Sequence, residues 1–194
     1  MEFNVKDLQW VRQPKAFVIE DNRIEITTEP DTDLWQKTFY GFTGDNAPVL
    51  QMETEEKSFS FTVKTEFPQK RVKFDQCGIV MYLDSDNWMK ASAEYADENG
   101  QYFGSVLTNH GYCDWATNMV APEVTTVWYR LSRKDSDYVI EYSLDGENYV
   151  MMRMFHMFEG GEKIRFGIYA CSPGESSFKA VFSEMALTEF LFED

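Results

Sequence analysis

Histidine, cysteine and positive charge are scarce in this chain. Its two histidines, His110 and His156, stand too far apart in sequence to make a recognisable metal-ligand motif. No metal or cofactor is expected, and only an ion held by oxygen ligands stays open. Three cysteines, Cys77, Cys113 and Cys171, are an odd number without CxxC spacing, which argues against a disulfide framework or a thiolate zinc site. Buried, inert thiols fit best, because no known thiol motif pairs any of them with a histidine. Eighteen Lys and Arg oppose 33 Asp and Glu, a formal net charge of -15, and the longest basic stretch is Lys70-Arg71-Val72-Lys73. Phosphate backbones require clustered positive charge, so nucleic acid is not an expected partner. No apolar run could span a bilayer, and the first seven residues lack a signal-type apolar core. A cytoplasmic protein without membrane contact is the expectation. Internal repeats, linkers and low-complexity tracts are also missing, so one domain over residues 1–194 is expected.

What the chain does have is aromatic residues, at 16% of the sequence. Rings pack well on pleated sheet surfaces, and they also stack on the apolar faces of sugars. Residues 17–26 form two short apolar runs around Asp21-Asn22, the chemistry of a hairpin turn. Residues 29–41 open with turn formers and lead into an aromatic strand containing Trp35, Phe39 and Tyr40. Residues 58–67 alternate cleanly, with Phe59, Phe61, Val63, Thr65 and Phe67 on one face. Further strands are predicted at 74–83, 88–95, 101–108, 126–133, 138–144, 149–155 and 164–171. Residues 109–122 show no usable period and are predicted as a long loop at a sheet edge or over a groove. Residues 177–192 supply the closing run. Its end is weakly helical in character, but the alternation of Phe178, Ala180 and Phe182 favours a strand paired with the N-terminal one. Regular short strands separated by turn signals indicate a sandwich or barrel.

The strand at 88–95 carries the main functional signal. Trp88, Lys90, Ser92 and Glu94 project to one face, and Met89, Ala91, Ala93 and Tyr95 to the other. Lys and Glu are seldom fully buried unless paired, so this face indicates a paired network, a groove, or both. Lys90 and Glu94 lie about 13 Å apart along the strand and need partners from neighbouring strands. Structural partners would be Asp75 or Glu141 for Lys90 and Arg130 for Glu94. A ligand site would instead use Trp88 beside the two charges, with Trp35, Gln36 and Tyr40 as a wall and Gln76 offering a second amide. Asp114-Trp115, in the predicted loop, suits a groove rim. Met151, Met152, Met154 and Met157 with Phe155 and Phe158 read as a core strand running into a loop, or, if exposed, as a contact between copies of the chain.

The segments Thr32-Asp33-Leu34-Trp35-Gln36-Lys37-Thr38-Phe39-Tyr40-Gly41, Phe74-Asp75-Gln76-Cys77-Gly78-Ile79-Val80, Trp88-Met89-Lys90-Ala91-Ser92-Ala93-Glu94-Tyr95, Cys113-Asp114-Trp115 and Phe166-Gly167-Ile168-Tyr169-Ala170-Cys171-Ser172-Pro173 resemble a concanavalin A-like family of unknown function named after a regulator of enolase. The resemblance implies an all-β, two-sheet antiparallel jelly-roll sandwich with a concave face, as in legume lectins, laminarin-type glucanases and accessory domains of some xylosidases. Departures from the family pattern fall at Cys77 and Ser92, usually small residues, and at Cys113, usually Ser. No glucanase-type Glu-x-Asp-x-x-Glu motif occurs.

Three functions follow as expectations. The first is a non-catalytic module binding a carbohydrate or similar polyhydroxylated molecule, through Trp35, Gln36, Asp75, Gln76, Trp88, Lys90, Glu94, Asp114, Trp115 and Tyr169. The second is a glycoside hydrolase or lyase using Glu94 with a second carboxylate from Asp75, Asp114 or Glu141. The third is a protein-interaction scaffold. Partners are expected to be a small polar ligand and, through the Met patch, a second copy of the chain.

Overall fold

The computed structural model describes residues 2–193. After a 3-10 turn at Val5–Asp7, capped by the Asn4 side chain, the chain is strand throughout. The first six strands are β1 (Gln9–Arg12), β2 (Ala16–Glu20), β3 (Arg23–Thr27), β4 (Leu34–Gln36), β5 (Thr43–Asp45) and β6 (Val49–Thr54). The next five are β7 (Ser58–Glu66), β8 (Gln76–Asp84), β9 (Asn87–Asp97), β10 (Gly100–Asn109) and β11 (Tyr112–Val120). The last five are β12 (Thr126–Lys134), β13 (Asp137–Ser143), β14 (Val150–His156), β15 (Ile164–Cys171) and β16 (Lys179–Thr188).

Two seven-stranded antiparallel sheets form a jelly-roll sandwich. One has the order β1-β6-β15-β8-β9-β10-β11 and the other β14-β13-β12-β7-β16-β3-β2, with β4 and β5 as a separate hairpin. Phe59, Phe61 and Val63 of β7 project into the space between the sheets, where Phe166 of β15 meets both phenylalanine rings at centroid distances of 4.9 and 5.0 Å. Ile79, Met81, Met89, Ala91 and Ala93 come from the facing sheet. The alternation seen in the sequence is therefore a division between this core and the outer face.

One expectation needs correction. Residues 109–122 are not a loop: β10 runs to Asn109, His110 and Gly111 turn with φ of 52° and 77°, and β11 pairs with β10 from Tyr112 to Val120. Positive φ at both central residues is the signature of a tight hairpin turn. The period was masked because β11 is an edge strand, largely exposed on both faces. The closing run is strand, paired with β3 and β7. A bulge at Glu184, φ 51°, interrupts its register and produced the weakly helical pattern. Asn22 in the first hairpin turn fastens that bulge, donating to the Met185 carbonyl at 3.0 Å and accepting from its N–H at 2.9 Å. In the Met-rich stretch, Met157 and Phe155 are buried while Met151 and Met154 lie exposed along the edge strand β14.

Two positions in the sheet containing β8, β9 and β15 admit only glycine. A Cβ on Gly78 would lie 2.0 Å from the Ala91 carbonyl oxygen, and one on Gly167 2.2 Å from that of Leu50. Neighbouring backbones approach there more closely than any side chain allows. Gly78→Ala is expected to lower the urea unfolding free energy by more than about 2 kcal/mol, because rigid backbone must move to admit the methyl group. An unchanged midpoint would mean that the strands relax freely.

Candidate functional site

The outer face of this sheet is built in rows by strand register. Gln76, Glu94 and Tyr102 form one row, Gly78, Ser92 and Gly104 the next, and Val80, Lys90 and Val106 the third. Tyr82, Trp88 and Thr108 form the fourth. The hairpin of β4 and β5 lies over the last two rows, where Leu34, Trp35 and Ala47 pack on Val80, Tyr82, Trp88 and Val106 in a second apolar cluster. The first two rows stay open. A cavity of about 210 Å³ lies on this face beside the hairpin.

Glu94, Lys90, Gln76 and Asp33 supply the polar lining. Trp35, Tyr40, Phe42, Phe74 and Trp115 supply the aromatic lining, with Val106 and Pro173 completing the wall. Trp115 reaches across the sheet because Gly104 makes room: a Cβ there would sit 2.8 Å from the indole nitrogen. Its ring meets Trp35 and Tyr102 edge-on, at centroid distances of 6.4 and 5.7 Å.

The polar groups are unequally satisfied. Lys90 Nζ lies 3.5 Å from Asp33 Oδ1 and within 6 Å of the Trp88 and Tyr169 ring centres, at 5.9 and 5.7 Å. Gln76 accepts from the Tyr169 hydroxyl at 2.9 Å and donates to the Phe74 carbonyl at 3.1 Å, which fixes its amide. Glu94 Oε1 is buried and has no hydrogen-bond partner among the described residues. Burial pushes the Glu94 carboxyl up to about 7; Lys90 opposes this, Asp33 adds to it, and Arg71 and Lys73 oppose it more weakly. A carboxyl group with an open oxygen, half ionised near neutrality, therefore faces a partly aromatic cavity.

The structure brings together Trp35, Gln76, Lys90, Glu94 and Trp115 of the residues expected from the sequence, with Tyr169 buried beneath them. Tyr40, expected as part of the wall, also lines the cavity, whereas Trp88, Gln36, Asp75 and Asp114 lie elsewhere. Trp88 is 0% exposed under the hairpin and donates to the Ser85 carbonyl at 3.2 Å. Gln36 is buried too, donating to the same carbonyl at 2.7 Å. Asp75 accepts from the Val72 N–H at 2.8 Å and the Ser176 hydroxyl at 2.6 Å, holding the turn that carries Phe74. Asp114 shares the opposite face with Leu107 and Met89 and pairs with Arg153 at 2.6 Å.

The expected ion pairs are corrected accordingly. Arg130 binds Glu141 through two hydrogen bonds of 2.6 and 2.7 Å on the other sheet, so neither reaches Lys90 or Glu94. The carboxylate beside Lys90 is Asp33, which sequence reasoning did not select. It lay in the segment Thr32-Asp33-Leu34-Trp35 already marked by resemblance, one residue before the hairpin strand. Phe42, Phe74, Val106 and Pro173 were missed as well, since loop contacts over a sheet leave no period in the sequence.

A family model described as "Protein of unknown function (DUF1349)" matches residues 10–190. The chain belongs to this family. It is 31% identical over 179 residues to "Regulation of enolase protein 1" of Saccharomyces cerevisiae, covering 92% of this chain and 88% of that protein. The solved structure of a functionally unknown protein from Saccharomyces cerevisiae superposes with a TM-score of 0.89 at 29% identity, over 98% of this chain and 100% of that one. The GH43 BlXynB protein from Bacillus licheniformis matches at a TM-score of 0.72 and 20% identity, over 95% of this chain and 37% of that one. That last likeness is one of fold. Like the jelly-roll fold itself, the DUF1349 description leaves the ligand unnamed.

The state of Glu94 gives a stability test. Its folded pKa of about 7 stands above the ordinary value of 4.5, so the stability gained by keeping it protonated is complete below about pH 4.5 and is lost as pH rises through 7. Glu94→Gln keeps the shape and removes the titration. Its stability relative to the natural protein is expected to rise by up to about 3 kcal/mol between pH 4.5 and pH 8, read by denaturant unfolding. A difference constant with pH would mean that Glu94 ionises as an exposed carboxyl does.

Proposed function

We propose that this domain binds a carbohydrate or similar polyhydroxylated small molecule in the cavity on its concave face, without turning it over. One observation carries the reading: a buried carboxylate oxygen with no protein partner, across from a lysine ammonium, inside a ring of aromatic side chains. Lone buried polar atoms are costly, and a ligand hydroxyl would satisfy this one. Lys90 has donors to spare after its contact with Asp33, so the site offers acceptor and donor at opposite ends of a hollow. The aromatic walls fit the apolar face of a ring whose edge carries hydroxyls. At about 210 Å³ the cavity is below the roughly 300–1,000 Å³ of drug-sized sites and suits a single sugar ring. Three buried free thiols suit a reducing compartment, and we place the binding in the cytoplasm. Among the described residues no helix is long and apolar enough to cross a membrane. The exposed Met151 and Met154 edge is where we place any contact with a second copy.

One observation favours a second reading, acid/base chemistry on a sugar: a carboxyl group poised near neutrality is what proton transfer at pH 7 requires. The second carboxylate would be Asp33, the one other acid lining this cavity among the described residues. Its contact with Lys90 weighs towards binding, since the pair serves as a fixed wall.

Calorimetric titration with monosaccharides tests both. Binding is expected to tighten between pH 6 and pH 8 and to release a proton near pH 7, because a hydroxyl donating to Glu94 favours its ionised form. Glu94→Gln and Trp115→Ala are each expected to weaken binding by about tenfold or more. Absence of heat with every sugar would overturn the reading, and product formation in the same mixtures would replace it with the catalytic one.

A further inference from the structure

The geometry points to recognition of a chain end: we propose that the cavity takes the terminal ring of an oligosaccharide, and that the next ring lies against Phe39 and Tyr40 outside the mouth. The proposal rests on the carbohydrate reading above and narrows it.

The groove is closed on the hairpin side. Along β9 the open rows end at Lys90, because the β4–β5 hairpin packs Leu34 and Trp35 onto Trp88 and Val80. A sugar chain therefore cannot run through the concave face past the hairpin. One end enters, and the remainder must leave by the mouth.

At the mouth a series of rings continues outward. Trp115, half-buried, meets Trp35. Trp35, 9% exposed, meets Tyr40 at a centroid distance of 5.4 Å, and Tyr40, 56% exposed, meets Phe39 at 5.1 Å. Phe39 is 93% exposed. A single ring in the cavity leaves this outer portion without use.

The backbone gives no structural reason for Phe39 to be there. Lys37 and Phe39 have φ of 54° and 62°, and each is the centre of a three-residue turn closed by a short hydrogen bond. Thr38 N–H donates to the Gln36 carbonyl at 2.6 Å, and Tyr40 N–H to that of Thr38 at 2.7 Å. Gly41, φ 73°, closes the loop by donating to the Lys37 carbonyl at 2.7 Å. Turns of this kind are rare and strained, and a bulky residue at positive φ is disfavoured. A glycine or asparagine would hold the same backbone more easily, and a polar residue would meet water better. A strained, exposed phenylalanine at a cavity mouth is a candidate contact for a ligand.

Calorimetry on the full chain settles the proposal with β-1,4-linked glucose, xylose and mannose series of one, two and three units, and with a long soluble polymer of whichever sugar binds. Expected is tighter binding of the trisaccharide than of the monosaccharide by about fivefold. That ratio is expected to fall to about one in Phe39→Ala and to persist in Phe39→Trp. The polymer should bind in proportion to its ends, not to its mass. Equal affinity for one and three units, an unaltered ratio in Phe39→Ala, or polymer binding that scales with mass would each overturn the chain-end proposal while leaving the monosaccharide site intact. Failure of all lengths to bind would remove the carbohydrate reading and this proposal with it.

Discussion

Gly78, Ser92 and Gly104 stand in one row across three hydrogen-bonded strands, between the rows that carry Glu94 and Lys90, and close backbone and side-chain approach at this row constrains the face that bears the cavity. The same row also requires glycine. At Gly78 the β8 and β9 backbones approach to a distance that excludes even a methyl group, and at Gly104 the Trp115 indole occupies the space a side chain would take. One row thus meets two demands of close approach, from a neighbouring backbone at Gly78 and from an indole ring at Gly104. Lys90 and Glu94 belong to the flanking rows. That is how two charges separated by about 13 Å of strand come to line one cavity.

Burial then decides what the charges can do. Lys90 keeps a carboxylate neighbour in Asp33, whereas one oxygen of Glu94 is left without a partner. Leaving a buried acid unpaired costs stability at neutral pH, and an apolar or amide residue at this position would hold the sheet better. Arg71, also buried, is satisfied at its two terminal nitrogens while its Nε has no partner among the described residues. Its guanidinium, equally buried, donates to the Asp75 and Ala93 carbonyls at 2.9 and 3.0 Å and to the Gln101 side chain. Glu141 is likewise closed by Arg130. Glu94 Oε1 is the one carboxylate oxygen left unpartnered and buried among the described residues, and it belongs to a residue that lines the cavity.

The sequence made the sandwich legible because its core strands obey a period. Residues 58–66 alternate, the first hairpin announces its turn with Asp21-Asn22, and the pattern of Trp88, Lys90, Ser92 and Glu94 marks a face that is neither core nor ordinary surface. The polar floor could be read for the same reason: strand register follows from local pattern. The walls could not. Whether Trp88 faces a ligand or lies beneath a covering element depends on a hairpin fifty residues upstream, and the composition of β9 carries no trace of it. Asp114 was misplaced for a related reason. Reading residues 109–122 as a loop removed the alternation that sends Asp114 and Trp115 to opposite faces, and only the pairing of β11 with β10 restores it. Edge strands, exposed on both sides, are the places where period fails.

Backbone conformation separates the site from the rest of the surface by a route that the sequence does not carry. Non-glycine residues at positive φ include Asp21, Asp31, Asp135 and His110, types that tolerate the left-handed region and that occupy ordinary turns here. Phe39 and Phe74 are of another kind. Both are bulky, both are exposed, and they stand on two different segments that reach the same mouth, with φ of 62° and 72°. Phe74 is held there by Asp75, whose carboxylate closes the preceding turn, so a buried acid that touches no cavity still determines the cavity's lip. Strain at one such position could be an accident of loop closure. Strain at two phenylalanines on separate segments, both near the cavity lined by Glu94, is what the proposed site would account for with a single requirement: rings held at the mouth.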